Sequence, residues 1–242
     1  MIPMVQQPRR PEMRPHSLEI GEQQREKRAI RAGFTLLELL VVIAIIGILA
    51  ALIVPAAGMV SVKMRTSRTQ AERKRIESAI EEYKLTIGFY PPDNVNAQGV
   101  VNPVLNPLLY ELTGVIKDKS GPDRVRGPFD NKYLTPSVIQ AAFNRDGFVN
   151  AADDQATAKR FLSLRAKDAR AVKVPGAGSE VQVYVLAALD WNPGKPGSAF
   201  NDPTNVVNPW RYVSTNPTNN PGRYDLWAPI FAGKQIITNS NW

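Results

Sequence analysis

The chain has 242 residues, with 30 Lys and Arg against 22 Asp and Glu and a formal net charge of +8. It contains no cysteine and one histidine, His16, which excludes a disulfide framework, a thiolate nucleophile and a usual zinc site. The length suits one domain plus a membrane helix, and the scarcity of catalytic side chains argues against an enzyme.

Residues 1–33 are polar, proline-containing and charged, with Arg25, Lys27, Arg28 and Arg31 clustered at their end. They hold no apolar core of their own. The apolar block begins only after Gly33, and from Phe34 to Val60 its one charged residue is Glu38. As a helix that run is about 40 Å long, enough to cross a hydrocarbon core of roughly 30 Å. A carboxylate in such a segment costs about 2.5–3.5 kcal/mol at the bilayer centre and less near an interface, so it requires a reason. Either it pairs with a cation, or it snorkels to the headgroups and pairs with nothing. A secretory signal cut near Ala56-Ala57 competes with a membrane anchor. The apolar core exceeds the usual length of about 7–15 residues for such a signal, and it contains a glutamate and follows a long polar prefix.

The segment Gly33-Phe34-Thr35-Leu36-Leu37-Glu38-Leu39-Leu40-Val41-Val42-Ile43-Ala44-Ile45-Ile46-Gly47-Ile48-Leu49-Ala50-Ala51 resembles the N-terminus of type IV pilins and type II secretion pseudopilins. In that superfamily a prepilin peptidase cuts after the glycine and methylates the new amine. The resemblance implies a cut between Gly33 and Phe34, N-methylation of Phe34, an assembly role for Glu38 and a helix-bending role for Pro55. A glycine before the cut lets the backbone lie close to a protease. A new amine at a helix start adds positive charge where the macrodipole is already positive. Glu38, one turn on, is placed to offset it within one subunit or across to the next. If the pair forms between subunits in lipid, a mispositioned subunit leaves a buried charge unpaired, which sets axial register.

Orientation is inherited from the resemblance: N-terminus in the cytoplasm, later residues in the periplasm. Charge points the other way, with four basic residues in the fifteen before the cut and six in the fifteen after Val60, whereas cytoplasmic flanks are usually the more basic. Removing residues 1–33, with seven basic and four acidic residues, lowers the formal charge from +8 to +5 and removes His16. The basic residues from Lys63 to Arg75 could meet phosphate, in lipid headgroups or nucleic acid. Interleaved Glu72, Glu77, Glu81 and Glu82 favour an ordinary solvated helix face, and no aromatic residue accompanies them, so nucleic acid is not expected as a partner.

The helix is predicted to continue over residues 61–87. Ile76, Ala79, Ile80, Tyr83 and Ile87 recur at spacings of three and four, giving one apolar stripe that needs a sheet to cover it. Gly88 and Pro91-Pro92 end it. Pro55 lacks an N–H and clashes with the preceding turn, so a bend or local melting is expected there. From Gly88 onward the chain is rich in Pro, Asn and Gly and holds fifteen of its twenty prolines. Short helices are predicted over Pro107–Thr113 and Ser137–Phe143, and a longer one over Asp153–Ala169 with Phe161 and Leu164 inward. Glu180–Leu189 alternates Val181, Val183 and Val185 as the clearest strand. Trp210–Ser214, Arg223–Trp227 and Lys234–Thr238 read as further strands.

The tail, with Asn208-Pro209-Trp210-Arg211-Tyr212-Val213, Tyr224-Asp225-Leu226-Trp227 and Asn241-Trp242, resembles the C-terminal sheet of the major pseudopilin, as does Tyr90-Pro91-Pro92. That resemblance implies a calcium loop after the Tyr-Asp-Leu strand. Here Ala228–Asn239 contains no Asp or Glu, while calcium takes six to eight oxygen ligands. The site is expected to be absent or relocated, with Asp190, Asp202 and Asp225 too scattered to name as ligands. The Trp and Tyr side chains are expected in the sheet core.

The fold expected is α+β: a long N-terminal helix, half membrane and half amphipathic, packed on a small antiparallel sheet with a loop-rich head. The organisation is a leader at 1–33, a transmembrane and assembly helix at 34–60, an amphipathic continuation at 61–87 and a periplasmic head at 88–242. The function expected is a structural, non-enzymatic fibre subunit of type II secretion without a cofactor. Its partners are further copies of itself, prepilin peptidase, an inner-membrane assembly platform with its ATPase, and membrane lipid. A type IV pilin for adhesion, motility or DNA uptake is the alternative in the same class. A membrane-tethered binding protein that never polymerises is the alternative from another.

Overall fold

The computed structural model describes residues 33–119, 121, 123–127, 132–174, 181–189, 207–232 and 235–242, with the backbone alone at 52–59 and 232. Three helices and nine strands lie among them. The chain divides into two units, Met1–Leu49 and Ala50–Trp242. The leader expected at 1–33 falls outside the described residues except for Gly33.

Helix α1 (Leu36–Ile87) runs through both units and ends where Gly88 takes φ +102°, a left-handed conformation that suits only glycine at low cost. In the first unit every described residue from Gly33 to Leu49 is exposed. The helical backbone continues through Pro55, whose side chain lies outside the described residues. Among the described residues no helix is long and apolar enough to cross a membrane. The described side chains of the apolar run stop at Ala51 and resume at Val60.

In the second unit α1 turns amphipathic. Ile76, Ala79, Ile80 and Tyr83 are buried and Ile87 partly so, the stripe that their three- and four-residue spacing predicts. They pack on Leu186, Trp210, Tyr212, Tyr224, Leu226 and Ala228. Those residues come from β6 (Gln182–Leu186) and from a three-stranded antiparallel sheet in the order β7 (Arg211–Val213), β8 (Asp225–Ala232), β9 (Gln235–Ser240), and the segments beside it. Lys234, the predicted start of β9, lies outside the described residues. Trp210, Tyr212 and Tyr224 are core residues as expected, while Trp242 stays half exposed against the edge of Trp227 at 5.6 Å.

The segment after α1 is tied down by polar contacts. The Tyr212 hydroxyl donates to the Pro91 carbonyl at 2.8 Å. The Asp93 carboxylate accepts from the amides of Ser214 and Thr215 and from the Thr215 hydroxyl. This fixes Tyr90-Pro91-Pro92 against the start of the sheet.

Helix α2 (Leu108–Thr113) is buried at every residue. Its leucines face the α1 core, and Tyr110 faces a second core built from α3 (Pro136–Phe143), β5 (Ala169–Lys173) and β6. Thr135 caps α3 and Pro136 opens it, a combination that favours helix starts. A small sheet in the order β3 (Tyr133–Leu134), β2 (Val125–Arg126), β1 (Val115–Lys117), β4 (Ala151–Ala152) joins this core. The β1–β4 pair is parallel, so the expected single antiparallel sheet is replaced by three small sheets, one of them mixed.

The helix predicted over Asp153–Ala169 is not formed. Asp154 Oδ1 accepts from the amides of Ala156 and Thr157, a local turn that competes with helix formation. The amides of Phe161 and Leu162 both donate to the Leu112 carbonyl, leaving residues 158–168 as an extended and turning segment laid over the end of α2. Phe161 and Leu164 do pack inward, but Leu162 is the buried anchor. Gly114 permits this crossing. Its φ is +74°, and a Cβ there would lie 2.9 Å from the Lys159 carbonyl oxygen.

Candidate processing and assembly site

Gly33 and Phe34 precede the first turn of α1, both exposed. Thr35 is the residue before the helix and Glu38 lies three positions on, the spacing of a capping box. The Thr35 amide donates to Glu38 Oε2 at 2.8 Å and the Thr35 hydroxyl donates to the same oxygen at 2.9 Å. In return the Glu38 amide donates to Thr35 Oγ1 at 3.1 Å. Two backbone donors that a helix start leaves orphaned are thereby satisfied. The sequence reading missed this pair, although Thr35-Leu36-Leu37-Glu38 carries its signature. The second oxygen, Oε1, receives neither of these donors.

The arrangement explains how a carboxylate can sit at the head of an apolar helix. Its charge faces the positive end of the macrodipole, and its hydrogen bonds are local. An amine at Phe34 would stand one residue ahead of Thr35 on the same helix end. Of the four residues expected to matter, Gly33 and Phe34 lie just before α1 and Glu38 in its first turn. Pro55 lies seventeen positions after Glu38 in the chain, at a point where only the backbone is described.

Twelve large apolar side chains from Phe34 to Leu49 are exposed, Phe34 by 83%. At about 1.5–3 kcal/mol for each side chain fully buried, covering them would contribute on the order of 20–30 kcal/mol. A helix apolar all round requires an apolar environment, either lipid or neighbouring helices.

Among the described residues of the tail, the calcium-type carboxylates are engaged or absent. Ala228–Ala232 and Gln235–Asn239 lie in the paired strands β8 and β9. The Asp225 carboxylate is occupied by amide and side-chain N–H groups of Asn219 and Asn220, at 2.9–3.0 Å. Asp190 and Asp202 lie outside the described residues. Among the described residues no group of three or more His, Cys, Asp or Glu is placed to hold a metal ion.

The family model of the prokaryotic N-terminal methylation motif matches residues 28–54, which include Gly33, Phe34 and Glu38. The chain is 40% identical over 88 residues to type II secretion system core protein G of Escherichia coli strain K12, covering 35% of this chain and 61% of that protein. It is 35% identical over 82 residues to the core protein G of Pseudomonas aeruginosa, covering 34% and 58%. It is 41% identical over 68 residues to the type IV major pilin protein PilE of Neisseria gonorrhoeae, covering 28% and 41%. The chain thus spans between two fifths and three fifths of the length of these relatives. No solved structure matches it. The chain carries a prepilin-type methylation motif, and its likeness to the pilin and pseudopilin superfamily stands on that motif together with relatives of both names.

Proposed function

We propose that the chain is a structural subunit of a pilus-like fibre used in type II protein secretion, made as a membrane-anchored precursor and processed by prepilin peptidase. The observation that carries this reading is a helix start exposed and apolar on every side, opened by a single carboxylate, inside the matched methylation motif. Such a helix is stable only in lipid or among its own copies, and a subunit that passes from one to the other exchanges equivalent contacts.

The division of labour we infer is a leader at 1–33, a membrane and assembly helix at 34–60, an amphipathic continuation at 61–87 and a periplasmic head at 88–242. The peptidase cuts after Gly33 and methylates Phe34. Glu38 meets the amine of Phe34, its own or that of the next subunit, and Pro55 lets the helix bend in the fibre. The protein anchors in the inner membrane with its N-terminus cytoplasmic. Its partners are further copies of itself and an inner-membrane platform whose ATPase drives extraction from lipid. The chemistry is done to the chain, not by it.

Mass spectrometry of the mature N-terminus tests the processing step, with methyl-Phe34 expected. A chain beginning at Met1, or after Ala57, rejects it. Glu38→Ala is expected to insert in the membrane normally and to form no fibres, and unaffected fibres would remove the register argument. A type IV pilin is the second reading, favoured by the similarity to PilE. Neighbouring genes for a secretion ATPase and outer-membrane channel, against genes for pilus retraction, separate the two. A cleaved subunit that never polymerises leaves only the tethered binding protein.

A further inference from the structure

The second unit carries a surface on which exposed basic residues outnumber the acids beside them. Arg65, Arg68, Glu72 and Arg75 recur at intervals of three, four and three residues along α1 and so share one helical face. Onto this face the segment 158–168 is fastened. Arg75 donates to the Ser163 carbonyl and pairs with Asp168, whose carboxylate also accepts the Arg165 amide. The fastening leaves Lys159, Arg160, Arg165 and Lys167 exposed, and Arg65 and Arg68, further toward the N-terminus on the same helical face, are exposed too.

Most acids in reach are already engaged, Asp154 only by the amides of Ala156 and Thr157 and the Thr157 hydroxyl. Asp168 is buried and held by Arg75, and Glu77 pairs with Arg73 and Lys74. Asp153 pairs with Lys117, Asp118 with Arg124 and Glu81 with Arg223. Glu72, the remaining acid of that face, is half-buried among Arg75, Lys167 and Arg165. Among the described residues none of Arg65, Arg68, Lys159, Arg160, Arg165 or Lys167 forms an ion pair. Arg160 and Arg165 line an open cleft of about 400 Å³ together with Thr113, Leu162, Ser163 and Ala169. Guanidinium groups bracketing a hydroxyl are suited to a phosphate group.

Two features select the source of the phosphate. Arg65 follows the end of the apolar run at Val60 by five residues, about 8 Å along the helix, so the stripe begins where headgroups begin, and a helix tilted toward the surface brings the segment fastened at Arg75 within reach of them. The aromatic residue of the segment, Phe161, is partly buried and packed against Tyr83 at 5.2 Å in the α1 core, so no freely exposed aromatic ring accompanies the basic residues of the segment as a base-stacking platform. We propose that this surface, the Arg65–Arg68 face of α1 with the 159–167 segment, docks on the phosphate headgroups of anionic lipid and holds the unassembled subunit against the membrane. The proposal rests on the reading of residues 34–60 as a membrane anchor. Each basic residue near an anionic leaflet adds about fivefold to the docked population, an attraction screened within a Debye length.

The test is amine-labelling of the full chain reconstituted in vesicles of phosphatidylcholine alone or with phosphatidylglycerol. Lys159 and Lys167 are read against Lys84, about 36 Å beyond Val60 along α1. Phosphatidylglycerol should slow labelling of Lys159 and Lys167 but not of Lys84, and molar salt should abolish the difference. Arg160→Ala with Arg165→Ala, both at exposed positions, should reduce the protection by roughly an order of magnitude or more while leaving thermal unfolding unchanged.

Equal labelling in the two lipids, with the chain still floating with the vesicles, overturns the docking proposal and leaves the anchor reading intact. A chain that floats with neither vesicle overturns both. Protection in neutral vesicles by millimolar inorganic phosphate, as strong as that by phosphatidylglycerol, replaces the lipid with a free anion. Equal protection by duplex DNA at the same salt replaces it with nucleic acid.

Discussion

The Tyr83 hydroxyl of α1 donates to the Glu111 carboxylate of α2 at 3.0 Å inside the core. Glu111 is fully buried and its two oxygens also accept the amides of Val149 and Asn150. One carboxylate therefore joins the long helix, the short helix and the turn leading into β4.

Burial pushes the Glu111 carboxyl above its ordinary value, against the opposing pull of its hydrogen bonds and of Arg145. A carboxyl raised in the folded state binds more protons than in the unfolded chain, so its contribution to stability is complete below the ordinary value and is lost as pH rises through the raised one. Urea unfolding is expected to show stability falling from about pH 4.5 upward, with a shallower slope in Glu111→Gln. Tyr83→Phe should cost about 1–2 kcal/mol at neutral pH. A slope identical in Glu111→Gln would show that another group carries it.

The Arg75–Asp168 pair should behave as a buried ion pair. The Asp168 side chain is fully buried and that of Arg75 is 26% exposed. Arg75→Met leaves an unpaired buried carboxylate and is expected to cost about 3–5 kcal/mol, while Arg75→Met combined with Asp168→Leu should cost much less. A double-mutant cycle by urea denaturation measures the coupling. Additive losses would mean that the pair holds nothing together.

Calcium should leave thermal stability unchanged, since the Asp225 carboxylate is satisfied by the Asn219 and Asn220 N–H groups and the β8–β9 residues that follow lie in a paired hairpin. Calorimetry with added calcium or chelator checks this, and a large calcium-dependent rise would contradict it. Asp225→Ala is expected to destabilise by about 2–4 kcal/mol by leaving several donors unpaired.

Thr35→Val keeps the shape of the side chain but removes the hydroxyl of the capping box. The first turn of α1 should lose about 1 kcal/mol, read as faster exchange in detergent micelles of the amides bonded there, Glu38 and Leu39. Exchange as slow as in the parent chain would indicate that the Glu38 contacts alone hold the turn.

How much of this was legible in the residues depends on the range of the forces involved. The ends of α1, the buried stripe Ile76–Ala79–Ile80–Tyr83, the Thr135-Pro136 start of α3 and the β6 strand all follow from local periodicity or local capping, and each could be placed from its own segment. The strand β5 and the sheet β3-β2-β1-β4 could not. Their strands are mostly two or three residues long, too short to show an alternation, and exist only because a partner strand accepts their hydrogen bonds. The false helix over Asp153–Ala169 failed for the same reason, since the Leu112 carbonyl claims the amides of Phe161 and Leu162. The capping box is legible in Thr35-Leu36-Leu37-Glu38, whose spacing alone sets the reciprocal bonds.

The amino-acid order by itself determined the apolar helix, its lone carboxylate, the glycine before Phe34 and the turn at which α1 stops, all set by side chains a few positions apart. Only the tertiary structure decided that Glu111 would be a buried junction, that Asp225 would be spent on asparagine amides, and that the basic segment 159–167 would lie on the arginine face of α1. The Glu111 junction and the seating of segment 159–167 depend on groups up to ninety-three positions apart, as Arg75 and Asp168 are, and no local pattern records which distant donor will reach a buried acid. Asp225 is met by donors only five and six positions away, but in a turn whose shape the paired strands set.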